Sequence, residues 1–267
     1  MKWSELTARR HDPWTWVALQ VLVVAVAVAT YFGVRGRTES ALGPARRHAR
    51  DVFDLERWLH IDVESALQRP LRSSGTLETL ANWIYIWGHW PVLIATMAWL
   101  VWRHRQQFLR LRNAMLVSGS LGLVVFVVFP TAPPRLAGLG YVDTVTLRSS
   151  SYRYLQPPAF VNQYAAVPSL HVGWDLLACV AICSATTWWW LRALACSLPV
   201  LMTWAVLATG NHFVVDVVAG VTLVVFGHAV ALAYERRNAR RPAAERRPEE
   251  APRVPAHASP GPGRRPG

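Results

Sequence analysis

Three short stretches carry the residues of this sequence whose types and spacing suit chemistry. "AVPSLHVGWD" (Ala166 to Asp175) holds Ser169 and His171 behind Pro168, with Asp175 four residues past the histidine. "GNHFVVD" (Gly210 to Asp216) holds His212 and Asp216, again four apart. "FPTAPPR" (Phe129 to Arg135) ends in an arginine behind two prolines. Residues four apart on a helix share a face. Asp216 can therefore accept the Nδ1 proton of His212, fix its tautomer and leave Nε2 free as a nucleophile. His171, opening another helix, is placed to give a proton to a leaving oxygen. Ser169 reads as an N-cap after Pro168, and helix N-termini offer free N–H groups to an anion. Arg135 can grip a phosphate through paired N–H bonds. A histidine nucleophile, a histidine acid and an anion cradle together describe phosphoryl transfer.

The elements that must position these groups are membrane helices. Of 267 residues, 52% are hydrophobic and 14 are Trp. Several apolar runs approach the roughly 20 residues needed to span a bilayer. The predicted fold is all-α and polytopic, with six transmembrane helices in a bundle: Trp14–Val34, Leu77–Trp102, Ala114–Thr131, His171–Thr187, Trp188–Thr209 and His212–Tyr234. The first run is too long for a signal peptide and has no small-residue cleavage site before "VRGR". The Trp cluster at 188–190 marks an interfacial turn.

Orientation follows from arginine. "RHRQQFLRLR" (Arg103–Arg112) reads as a short basic connection that stays in the cytoplasm, which puts both termini inside a cell-membrane protein. Against this, the Arg35–Thr76 segment carries eight arginines and six acids on the predicted outer side. Threading the chain through the six spans brings all three polar stretches to one side, the periplasmic or extracellular one. The organisation expected is a cytoplasmic N-terminus (1–13), a first span (14–34), an outer amphipathic segment (35–76), a catalytic region (77–234) and a basic tail (235–267). Within the outer segment, Ala45–Leu71 is predicted to lie along the membrane surface. The tail supplies five of the formal charge of +12, with nine arginines between Arg236 and Arg265 against four glutamates, and it has no apolar periodicity. Its expected partner is the anionic leaflet, not nucleic acid. Cys179, Cys183 and Cys196 fall inside spans and read as small core residues.

The ordered stretches resemble the type 2 phosphatidic acid phosphatase and vanadium haloperoxidase superfamily. "FPTAPPRL", "YAAVPSLHVGW" and "NHFVVDVVAG" are more similar to its inositol phosphorylceramide synthase-like branch. The resemblance covers about Leu77 to Tyr234. It implies that His212 forms a phosphohistidine, that Asp216 orients it, that His171 is acid and base, and that no metal or other cofactor takes part. The superfamily's KxxxxxxRP motif is absent, since Arg135 follows Pro133-Pro134 and position 128 is Val. The Ser-Arg pair usual before the nucleophile is replaced by Ala205 and Val206. Arg148 and Arg153, before Asn162, are candidates to supply the missing charge.

Other polar residues carry two readings. Asp175 either orients His171 or faces a wet cleft. His89, in "WGHWP", is either satisfied by burial or in touch with substrate. His228 reads as structural, Arg192 and His104 as interfacial charges, and Tyr164 and Asn162 as the pocket mouth. The function expected is a lipid phosphatase, if water resolves the phosphohistidine, or a phosphotransferase, if an alcohol does, with inositol-phosphate transfer as one form. A transporter with a His/Asp proton relay is the alternative, but it calls for broken helices or inverted repeats at midplane, and here the polar groups gather at one edge. A dead scaffold fits poorly with an intact His–Asp pair.

Overall fold

The computed structural model describes residues 13–35, 42–148 and 164–240. The chain divides into two units, Met1–Leu232 and Ala233–Gly267; of the second, the described residues 233–240 are helical. The described residues form helices and no named strand. They are α1 (Pro13–Arg35), α2 (Leu42–Leu59), α3 (Glu64–Ser73), α4 (Gly75–Trp87), α5 (Trp90–Arg103), α6 (Arg105–Val128), α7 (Thr144–Arg148), α8 (Leu170–Ala185), α9 (Trp189–Ala208) and α10 (Val214–Arg240).

Four segments are long and apolar enough to cross a membrane: Gly75–Arg103, Arg105–Val128, Trp189–Ala208 and Val214–Ala239. The other two predicted spans correspond to α1, whose apolar stretch is Trp14–Thr30, and to the shorter α8, Leu170–Ala185. At 16 residues, α8 is about 24 Å long, short of the ~30 Å hydrocarbon layer. This is a membrane protein of apolar helices, with α8 below the length that the six-span reading assumes.

Two predicted boundaries are corrected. The basic connection Arg103–Arg112 is not a loop: α5 ends at Arg103, His104 alone breaks the helix, and α6 begins at Arg105. Arg, Gln and Leu are strong helix formers, so nothing in "RQQFLRLR" stops the helix. Its polar start binds α1, where Arg105 lies over the Trp16 ring at 4.3 Å and Arg112 donates to Gln20. The predicted second span is interrupted at Gly88-His89, between α4 and α5. Pro91, in the first turn of α5, lacks the N–H that a continuous helix requires.

The Ala45–Leu71 segment is two helices and not one. Helices α2 and α3 turn Ala45, Ala49, Val52, Glu56, Glu64, Gln68 and Leu71 inward. Leu55, Trp58, Leu59 and Val63 stay exposed. Small side chains let α2 sit close to the bundle, and the two buried glutamates bond backbone N–H groups of α10 (Val214 and Val215). The Trp188–Trp190 cluster is exposed at the α8–α9 turn, where the interfacial reading places it.

Candidate active site

The three polar stretches meet at one end of the bundle through backbone hydrogen bonds. Thr131 N–H donates to Tyr164 O at 2.8 Å, and Ala166 N–H to Thr131 O at 3.1 Å, which ties "FPT" to the approach of "PSLH". Arg135 N–H donates to Gly210 O at 3.0 Å, which ties the same stretch to the turn before His212. Gly210 has φ +67°, a conformation that a glycine adopts without steric cost. Helix α2 covers the junction: Ala132 N–H donates to Ala45 O at 3.0 Å, and His48 Nδ1 lies 2.8 Å from Pro130 O.

His212 is buried just ahead of α10. Its Nδ1 is 2.9 Å from Ala166 O and 3.3 Å from Asp216 Oδ2. Asp216 is fully buried, and Oδ2 also accepts from Phe213 N–H at 2.9 Å. With Nδ1 facing two acceptors, the ring proton belongs there, and Nε2 carries a lone pair with no hydrogen-bond partner among the described residues. Sequence reasoning found Asp216 but missed the nearer acceptor, the Ala166 carbonyl, because a backbone oxygen leaves no mark in a motif.

His171 lies in the first turn of α8, its ring centroid 5.9 Å from that of His212. Two close approaches fix this spacing. Ser169 N–H donates to Asp216 O at 2.9 Å, and Gly220 abuts the Ser169 carbonyl so tightly that a Cβ there would overlap it. Ser169 occupies the N-cap position, as expected, but its hydroxyl makes no capping bond. That oxygen is buried without a partner among the described residues, as is Asp216 Oδ1. Pro168 is buried in the turn behind it.

The remaining predicted residues fall elsewhere. Asp175 does not face His171: its Oδ1 pairs with His89 Nδ1 at 2.8 Å, and both residues are buried. The α4–α5 break puts His89 there, and its ring lies 4.6 Å from His171 and 6.1 Å, nearly parallel, from Trp174. Tyr85 flanks His171 at 4.9 Å. Arg135 is held by protein partners that its motif does not show. Its Nη1 donates to Asp143 at 2.6 Å and Thr146 at 3.1 Å, and its Nε donates to Asn211 at 2.9 Å. Gln68, unmarked in the sequence, exchanges two 2.9 Å bonds with Val142 and holds the same loop. Tyr164 packs beside Ala132 and Phe213. Arg148 ends α7, its side chain outside the description; Asn162 and Arg153 lie outside the described residues altogether. The cysteines are free thiols: Cys179 is buried, Cys196 is exposed, and their sulfurs lie 3.7 Å apart.

Comparison with known proteins gives the family. The family model described as the PAP2 superfamily matches residues 50–230. The phosphoinositol dihydroceramide synthase of Bacteroides thetaiotaomicron is 24% identical over 189 residues, covering 58% of this chain and 60% of that protein. The chain thus spans about 60% of the length of the curated relative it matches. No solved structure matches. On the family match and the histidine motifs it encloses, the chain belongs to the PAP2 superfamily, the resemblance read from "PSLH" and "NHFVVD".

Proposed function

We propose that this protein is a membrane phosphotransferase that moves the phospho-headgroup of a lipid through a phosphohistidine. The observation that carries the proposal is His212, with Nδ1 held by Ala166 O and Asp216 and Nε2 open, one ring away from His171. Nε2 attacks phosphorus, the P–O bond to the leaving alcohol breaks, and His171 gives that oxygen a proton. An acceptor hydroxyl then yields its proton to His171 and attacks phosphorus, which releases His212. Developing negative charge faces the first turn of α8, whose free N–H groups and buried Ser169 hydroxyl suit it. Asp175 and His89 form a buried pair behind His171 and act on its ring position, not on the phosphate.

Charge favours a diester donor over a monoester. The superfamily's Lys and second Arg are missing, and Arg135 is matched by Asp143. A phosphodiester brings one negative charge where a monoester brings up to two. The relative's name contains phosphoinositol dihydroceramide; for this chain we infer the same class, a phosphoinositol headgroup passed to a lipid alcohol. Its substrate end faces out of the cell, because Arg103, Arg105, Arg110 and Arg112 lie at the opposite ends of their helices.

The test is a lipid-extract assay that scores transferred headgroup against released phosphate, with His212→Ala and Asp216→Asn alongside. His212→Ala should abolish turnover, and Asp216→Asn should lower it by orders of magnitude with expression intact. Full activity in His212→Ala membranes removes the mechanism.

A further inference from the structure

We propose that Glu56 and Glu64 are a positioning acid pair that shares one proton and holds the start of the helix behind the nucleophile. The inference rests on reading His212 as that nucleophile. The first turn of a helix presents N–H groups with no partner inside the helix. At the start of α10 these go to carboxylates. Phe213 N–H donates to Asp216 at 2.9 Å, Val214 N–H to Glu64 Oε1 at 2.9 Å, and Val215 N–H to Glu56 Oε1 at 2.7 Å. This helix end, which could otherwise bind a substrate phosphate, is filled by the protein itself.

Both glutamates are fully buried, and Oε2 of each has no hydrogen-bond partner among the described residues. Their side chains interact with one another. One proton between them satisfies both oxygens and reduces the charge of the pair to one. The groups that face the pair are Asp216 with its partner His212 on α10, and the Tyr141 phenol, itself beside Asp62. None of these is an arginine or lysine. Burial, with Glu64 adding to it, pushes the Glu56 carboxyl up to about 8, and burial raises Glu64 as well. At neutral pH the proton stays. Its loss puts a second charge beside Asp216, where it opposes an incoming phosphate and loosens the turn that leads into α10.

Glu56→Gln imitates the protonated pair at every pH, since its amide oxygen accepts from Val215 N–H and its NH₂ donates to Glu64. Full-length protein in detergent, given short-chain phosphatidylinositol and a lipid alcohol, should turn over at pH 7 as fast as wild type. At pH 9, one unit above the Glu56 value, about nine-tenths of the wild-type pair lacks its proton. Wild-type kcat/KM should then fall roughly tenfold further than that of Glu56→Gln. Superimposable profiles overturn the proposal, and so does loss of pH 7 activity in a folded Glu56→Gln protein.

Thermal melting tests the shared proton without reference to turnover. A carboxyl raised in the folded state stabilises fully below its unfolded value near 4.5, and that stabilisation is gone once the pH passes about 8. Between pH 5 and 8 the wild-type Tm should therefore fall more than that of Glu56→Gln. Parallel melting curves overturn the pair. Turnover absent from wild type while the melting difference holds would instead remove the reading of His212.

Discussion

Gly220→Ala adds one methyl group to α10 at the point where it touches the start of α8. The new Cβ would overlap the Ser169 carbonyl oxygen and lie 2.9 Å from its carbon and 3.2 Å from Ser169 N. Carbon atoms at rest are about 3.5–4.0 Å apart, and the overlapped oxygen is nearer still, so the two helices must separate by roughly 1 Å. The neighbour is backbone and cannot swing aside. Overpacking of this kind costs about 1–3 kcal/mol, while Ala in place of Gly returns up to about 1 kcal/mol of helix propensity. The net loss of stability is thus about 0–2 kcal/mol, and the protein should still fold. Activity should suffer far more. His171 follows Ser169 by two residues and moves with it, and a displacement near 1 Å can lower a rate about a hundredfold. Turnover of a lipid donor in membranes, paired with Tm in detergent, should show a rate loss much larger than the stability loss. Gly33→Ala, with nothing within 4 Å of its Cβ, is the control and should leave the rate unchanged. A Gly220→Ala enzyme within threefold of wild type would refute the claim that this contact sets the spacing of the two histidines.

Other outcomes follow from the same site. Arg135→Ala removes bonds to Asn211, Asp143 and Thr146; breaking a buried pair costs about 3–5 kcal/mol, and the 15% exposure of Asp143 places the loss at the lower end. Adding Asp143→Leu to Arg135→Met should recover Tm but not the rate, and a single Arg135→Ala with normal Tm and rate would show that these bonds do not hold the loop. Vanadate, which imitates pentacoordinate phosphorus, should inhibit, and EDTA should leave turnover intact; activity lost in EDTA and restored by a divalent ion counts against a phosphohistidine route. A cysteine replacing exposed Arg50, with Cys179, Cys183 and Cys196 changed to Ala, should react with an impermeant thiol reagent in intact cells. Reaction only after lysis reverses the orientation.

Apolar runs made the helices legible, and the alternating direction of successive spans brought Arg135, His171 and His212 to one end before any coordinates. Contacts between distant residues were not legible. Asp175 and His89 are 86 residues apart, and nothing local to either names the other. The break at His89 was legible and overlooked: "GHWP" places Pro91 where a continuous helix needs an N–H. In Ala45–Leu71 the amphipathic argument did not show which residues pack on the bundle. It ranks Trp58 and Leu55 above Ala45 and Ala49, yet close backbone approach favours small residues, and the large ones turn outward. Arg135 carried the signal of a buried guanidinium, and the motif did not show Asp143, which suits that group as a phosphate does.

The bonds from Glu64 to Val214 and from Glu56 to Val215 join residues 150 and 159 positions apart. A chain made from its N-terminus reaches the bilayer with α2 and α3 long before α10 exists. Until α10 inserts, both glutamates lack the N–H groups that justify their burial and must stay in water, ionised. Burial of the two glutamates is therefore a late event in folding, coupled to the arrival of the last helix. Truncation ahead of Val214 would not give a smaller folded body with one helix missing. It would leave α2 and α3 tied through Ala45, His48 and Gln68 to Ala132, Pro130 and Val142, but with two glutamates that have lost their N–H partners.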